Sequence, residues 1–215
     1  MKNTLDLSLF SLLSKEMSII MIPKRTFESL KREFANYSSW AIWSPPYNNV
    51  RTNCDDLSRL ENDEIYNILH NNFVFVGLNA SEDHDVESKN WSQFHSADSK
   101  RSWDFRMREA TYQTPFEGSY MTDFCKGINM TNSNDFMKHL NQNKEIEPKS
   151  AETLRKELNI LGGNPTLFAM GRNVETLLIR NGFDKNYRIC YIPHYSNRGT
   201  TGKIIRTCLL NALKN

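Results

Sequence analysis

Phe73-Val74-Phe75-Val76-Gly77-Leu78-Asn79-Ala80-Ser81 is the stretch on which the fold turns. Four apolar, β-branched or aromatic residues end at a glycine and give way to a polar loop. A short continuous apolar run of this kind predicts a strand buried on both faces, as in a parallel sheet. Three more runs share the pattern: Tyr120-Met121-Thr122, Thr166-Leu167-Phe168-Ala169-Met170 and Arg188-Ile189-Cys190-Tyr191-Ile192. Helical periodicity lies between and around them. Ile65 and Leu69 precede the first run, and a charged, aromatic helix is predicted from about Ser99 to Thr111. Ala151 to Leu161 carries Leu154, Leu158 and Leu161 on one face and stops at Gly162-Gly163. Val174, Leu177 and Leu178 stripe a helix ending at Gly182, and Ile204, Ile205, Cys208, Leu209 and Ala212 stripe another behind a threonine cap.

Strands alternating with helices predict an α/β fold: a three-layer α/β/α sandwich with a central, mainly parallel four-stranded sheet. Residues 61–215 form this core. Residues 1–60 are expected to be a helical and aromatic extension packed on it. Phe27, Leu30, Lys31 and Phe34 suit an amphipathic helix. Ser38-Ser39-Trp40-Ala41-Ile42-Trp43 reads as an aromatic connector, either a wedge over the sheet or a pocket wall.

Composition narrows the class. With 215 residues, 39% hydrophobic and 24% charged, the chain can bury a sizeable core without a disulfide or metal staple. No apolar run approaches the ~18 residues of a membrane span. Leu5 to Leu13 faintly resembles a leader, but Asp6 interrupts it, so a terminal helix or cap is expected rather than export. Cys54, Cys125, Cys190 and Cys208 are spread out and form no C-x-x-C pair. That argues against zinc or iron–sulfur ligation and for reduced thiols in a cytoplasmic protein. The net charge of +2 is too small to indicate nucleic acid by itself. Lys100, Arg101, Arg106 and Arg108, and again Arg198, Lys203 and Arg206, are local basic groups that equally suit a solvated helix face.

In an open parallel sheet, ligands bind beyond the carboxyl ends of the strands. The loops to inspect are therefore Asn79 to His95, Asp123 to Lys126, Gly171-Arg172 and His194 to Gly199. Alone, Gly77-Leu78-Asn79-Ala80-Ser81 is an ordinary turn and His194 an ordinary post-strand histidine. Together, Gly77-Leu78-Asn79-Ala80-Ser81 after the first strand and His194-Tyr195-Ser196 after the last resemble two loops of the uracil-DNA glycosylase superfamily, most closely its mismatch-specific and single-strand-selective branches. Gln93-Phe94-His95 with Arg101-Ser102-Trp103, Tyr120 to Lys126, and Ala169-Met170-Gly171-Arg172 resemble further family segments, so the likeness spans roughly residues 70–210. Three positions depart from it: Ala80 and Tyr195 stand where prolines are usual, and Asp123 where uracil readers generally carry Asn.

The resemblance implies a monofunctional DNA glycosylase acting on single- or double-stranded DNA as a monomer, without a membrane, metal or organic cofactor. Such enzymes take the target base out of the stack. Asn79 would position the attacking water, and His194 would hydrogen-bond the base where negative charge develops. Leu78, Phe94 and Asp123 would bind the base, with Phe94 stacking on it. Ser81, Ser196, Arg198, Lys126 and Arg172 would contact DNA. Lys126 also leaves a lyase open, and Asp83 or Asp85 could be the true base. Uracil presents an acceptor at O4 and a donor at N3, and cytosine the reverse. A carboxylate at position 123 thus shifts the expectation to an amino-bearing base, a modified cytosine of the kind some viruses use, in a repair or anti-phage role. Two alternatives stand beside it: a non-catalytic nucleic-acid-binding module with this fold, and a hydrolase of free nucleosides or nucleotides.

Overall fold

The structure is a computed structural model that describes residues 19–81, 89–96 and 102–214. Asp83, Asp85, Lys100 and Arg101 lie outside the described residues.

The strands are β1 (Ser38–Trp40), β2 (Phe73–Gly77), β3 (Tyr120–Asp123), β4 (Thr166–Met170) and β5 (Ile189–Ile192). The helices are α1 (Lys24–Phe34), α2 (Phe105–Thr111), α3 (Ser133–Gln142), α4 (Ile146–Leu161), α5 (Arg172–Arg180) and α6 (Gly202–Lys214). The sheet runs β1-β3-β2-β4-β5. All neighbours are parallel except β1, which pairs antiparallel with β3. The fold is therefore the expected α/β sandwich, with five strands rather than four.

Alternation along the central strands builds two cores. Val74 and Val76 of β2 and Leu167 and Ala169 of β4 face one layer, where they meet Phe27 and Leu30 of α1, Leu154 and Leu158 of α4, and Val174 and Leu177 of α5. Phe73, Phe75, Phe168 and Met170 face the opposite layer, against Phe105 and Met107 of α2 and Ile205 and Leu209 of α6. Helices thus cover both faces of the sheet, as parallel strands require.

The fifth strand corrects the expected division at residue 60. Trp40 of β1 is fully buried and its ring meets Tyr120 of β3 at 4.8 Å between centroids. Ser38 and Ser39 are equally buried, and their hydroxyls donate to the carbonyls of Phe34 and Trp91 at 2.7 Å each. Residues 24–40 therefore belong to the sandwich rather than to an appendage. The helix expected from Ser99 begins at Phe105 among the described residues, and the segment around Ile65 is a 3-10 turn (Asp63–Asn67). Among the described residues no helix is long and apolar enough to cross a membrane.

The path of the chain creates one crevice. From β2 the chain crosses to β3 over the α2 face, then returns past β2 to β4 over the α3–α4 face. Reversing direction while changing face keeps the crossovers of one hand. It also makes the loops leaving β2 and β4 diverge. The gap between them, beyond Gly77 and Met170, is where this topology places ligands.

Candidate active site

Asn79 sits two residues beyond β2. Its side-chain nitrogen donates to three backbone carbonyls, those of Ala80 (2.7 Å), Met130 (2.8 Å) and Ile128 (3.2 Å). Only the amide nitrogen can donate to carbonyls, so these contacts fix which way the amide is turned. The group left to offer is Oδ1, an acceptor. The loop is pinned as well: Phe124 and Cys125 donate from their backbone to the carbonyls of Gly77 and Leu78, and Met130 to that of Ala80. The rigidity expected from a proline at position 80 is thus supplied by the neighbouring 124–130 loop. Leu78 turns its side chain into the core beneath, with 8% exposure, so its side chain does not line the crevice as a base-binding group.

His194 follows β5 and is partly buried. Its Nδ1 accepts from the backbone N–H of Ser196 at 3.2 Å and lies 2.7 Å from the Ser196 hydroxyl. A ring nitrogen that accepts from an N–H carries no proton of its own, so the hydroxyl donates too and the proton sits on Nε2. Burial pushes the imidazole down to about 4, keeping it neutral. Ser196 is thereby engaged with the histidine rather than free for phosphate. Gly171, at the start of α5, has φ of +105°, where a side chain would be strained, and its Cα faces the His194 Cβ. Tyr195 stacks on His194 at 4.5 Å between centroids.

Asp123 ends β3 with 4% exposure. Its Oδ2 accepts from the Gln93 side-chain nitrogen at 2.7 Å. Its Oδ1 lies over Gly77, in the space a Cβ there would fill. Burial pushes the carboxyl up to about 7; Lys126 and the Gln93 hydrogen bond oppose this and Glu157 reinforces it. A second buried carboxyl, Asp104, accepts from the backbone of Ser96 at 2.8 Å and is pushed by burial to about 6. The Tyr195 phenol is raised well above its usual range by burial, then by Asp104 and Asp123.

Lys126 is a correction. Its side chain is 8% exposed, pairs with the fully buried Glu157 of α4 at 2.7 Å, and donates to the Asp123 carbonyl at 2.7 Å. Glu157 also accepts from the hydroxyls of Tyr120 and Thr122. Lys126 is therefore an internal brace for the end of β3, not a phosphate contact.

Phe94 lies one residue from Gln93, is 8% exposed, and has φ of +66°. That backbone is costly for a bulky residue, and its aromatic ring packs into the α2–α6 core. Arg172 is exposed at the head of α5, paired with Glu175 and set over the Tyr191 ring at 3.6 Å. Ser81 and Arg198 are exposed. Arg106, Arg108 and Arg206 hold internal carbonyls: Arg106 those of Tyr195 and Asn197, Arg108 those of Ser44 and Thr52, and Arg206 those of Glu109 and Ala110.

The structure thus gathers Asn79, Asp123 and His194 along one sheet edge, with the Phe94 loop tied to Asp123 through Gln93. The roles of Gln93, Asp104 and Glu157 were not assigned from the sequence. A cleft of about 870 Å³ lined by Pro45, Pro46, Val50, Tyr112, Thr201 and Lys203, among others, includes none of the expected site residues. Among the described residues no His, Cys, Asp or Glu cluster is arranged to hold a metal. No family model matches the chain, and neither a curated protein nor a solved structure matches it.

Proposed function

We propose that the chain is a monofunctional DNA glycosylase that hydrolyses the N-glycosidic bond of an extruded pyrimidine, with an amino-bearing base, a modified cytosine, as its target. One observation carries the proposal: a side chain with only an acceptor left to offer, Asn79, shares a sheet edge with a histidine whose outward proton is on Nε2. Breaking this bond places positive charge on the sugar and negative charge on the base. A fixed acceptor orients water toward the sugar, and a fixed neutral N–H stabilises the base oxygen, at no reorganisation cost when charge develops. An amide is a very weak base, so the chemistry is dissociative, with the bond largely broken before water adds. Repair and defence against modified viral DNA are the two settings in which such an activity serves a cell.

The test is an alkali-sensitive cleavage assay on DNA holding uracil, cytosine or 5-modified cytosines, single- and double-stranded. Breaks at one base, lost in Asn79→Ala, support the proposal. DNA binding without abasic sites favours a binding module.

A hydrolase of free nucleosides or nucleotides is the second reading. It is favoured by the engagement of Arg106, Arg108, Arg206 and Lys126 with internal groups, which withdraws four cations from phosphate binding. Release of free base from nucleosides, with no action on DNA, would select it.

A further inference from the structure

Resting on the glycosylase reading, we infer that Gln93 decides how Asp123 reads a base: by donating to Oδ2 it leaves Oδ1, poised over Gly77, as the atom that meets the pairing edge. Both side chains are buried, at 6% and 4% exposure, and their 2.7 Å contact joins the Phe94 loop to the end of β3. Gly77 keeps the volume around Oδ1 clear.

The consequence is chemical. With Oδ2 engaged as an acceptor, any proton on the carboxyl resides on Oδ1. Ionised, Oδ1 accepts; protonated, it donates. Uracil and cytosine present opposite polarity both at N3 and at the group on C4. Whichever of these Oδ1 meets, gaining a proton exchanges the preferred base. Gln93 is then a positioning residue that sets the pH at which the exchange occurs.

The surrounding groups are accounted for. Lys126 and Glu157 lie behind the carboxyl and hold each other at 2.7 Å. The Tyr195 phenol stays neutral, far above its usual range. Burial sets Asp123 near 7, and the Gln93 hydrogen bond pulls that value down. Asp104, which faces Tyr195, is the other carboxyl titrating near neutrality, so Asp123→Asn is the needed control.

The experiment measures cleavage rates on otherwise identical DNA carrying uracil or a 5-modified cytosine, from pH 5.5 to 8.5. It runs on the wild type, Gln93→Leu, Gln93→Glu and Asp123→Asn, with carboxyl carbon NMR following Asp123. In the wild type the ratio of the two rates changes at least about tenfold, with a midpoint matching the carboxyl titration. Asp123→Asn flattens the ratio. Gln93→Leu moves both midpoints up by about one pH unit, because a donor to the ionised form is gone. Gln93→Glu, of the same shape, moves them upward too and serves if the leucine variant fails to fold.

Robust cleavage with a pH-independent ratio overturns the inference alone, as do unmoved midpoints in folded Gln93 variants. Absence of abasic sites with every base at every pH overturns the glycosylase reading and this inference with it.

Discussion

Gly77 and Asp123 face one another across β2 and β3, and the Oδ1 of Asp123 occupies the space that a Cβ on Gly77 would need. The glycine is required here by that neighbour rather than by an unusual backbone angle. Gly77→Ala is therefore expected to displace the carboxyl, with a stability cost of about 1–3 kcal/mol, typical of overpacking. Base cleavage should fall about 100-fold or more, beyond what the stability loss explains. Urea unfolding alongside rate measurement checks this, and unchanged rates in the variant would contradict it.

Lys126 and Glu157 are expected to behave as a buried pair. Removing one partner strands the other's charge, so Lys126→Met should cost about 3–5 kcal/mol. The same pairing predicts that borohydride does not trap the protein covalently on abasic DNA through Lys126. A trapped adduct that disappears in Lys126→Met would show the amine to be free for lyase chemistry.

The buried Asp123 carboxyl predicts a pH dependence of stability. The unfolded chain ionises an aspartate near 3.9, whereas the folded chain holds this proton to about 7. Below the unfolded value both states are protonated and the wild type matches an Asp123→Asn variant. As pH rises from about 4 to 7, the folded wild type loses stability relative to the variant at roughly 1.4 kcal/mol per pH unit, then levels off. Unfolding curves at pH 4, 5.5, 7 and 8 test this. A constant difference would place the carboxyl in ordinary titration.

The Ser196 contacts predict the His194 tautomer. Nitrogen NMR should find the Nε2–H form between pH 5.5 and 8, with protonation only near pH 4. Ser196→Ala keeps the backbone donor and should lose about 3–10-fold in rate, whereas His194→Ala should lose about 100–1000-fold. A cationic ring at neutral pH would remove the assignment of a neutral donor.

Four of the five strands were legible because Phe73–Val76, Tyr120–Thr122, Thr166–Met170 and Arg188–Ile192 are apolar runs bounded by turn residues. β1 was not, since Ser38 and Ser39 are polar and become strand only through pairing with β3 and hydroxyl bonds to distant carbonyls. α3 carried a readable signal that went unused: the Asn132 side chain caps it by accepting from Asn134 and Asp135, and Phe136 and Leu140 are its buried pair. At the site, Asn79, Asp123 and His194 could be singled out because each follows a predicted strand. Gln93 could not be paired with Asp123, because the bond spans 30 residues and two loops. Lys126 was misplaced for the same reason. Its burial depends on Glu157, which sits on another helix.

The most direct test concerns Asn79, whose amide nitrogen is held by the carbonyls of Ala80, Ile128 and Met130. Alkali-sensitive breaks in base-substituted DNA should fall by about 1000-fold in Asn79→Ala while DNA affinity stays within about threefold, because the lost contact is to the attacking water in the transition state. Asn79→Ala that cleaves at the wild-type rate would contradict the account.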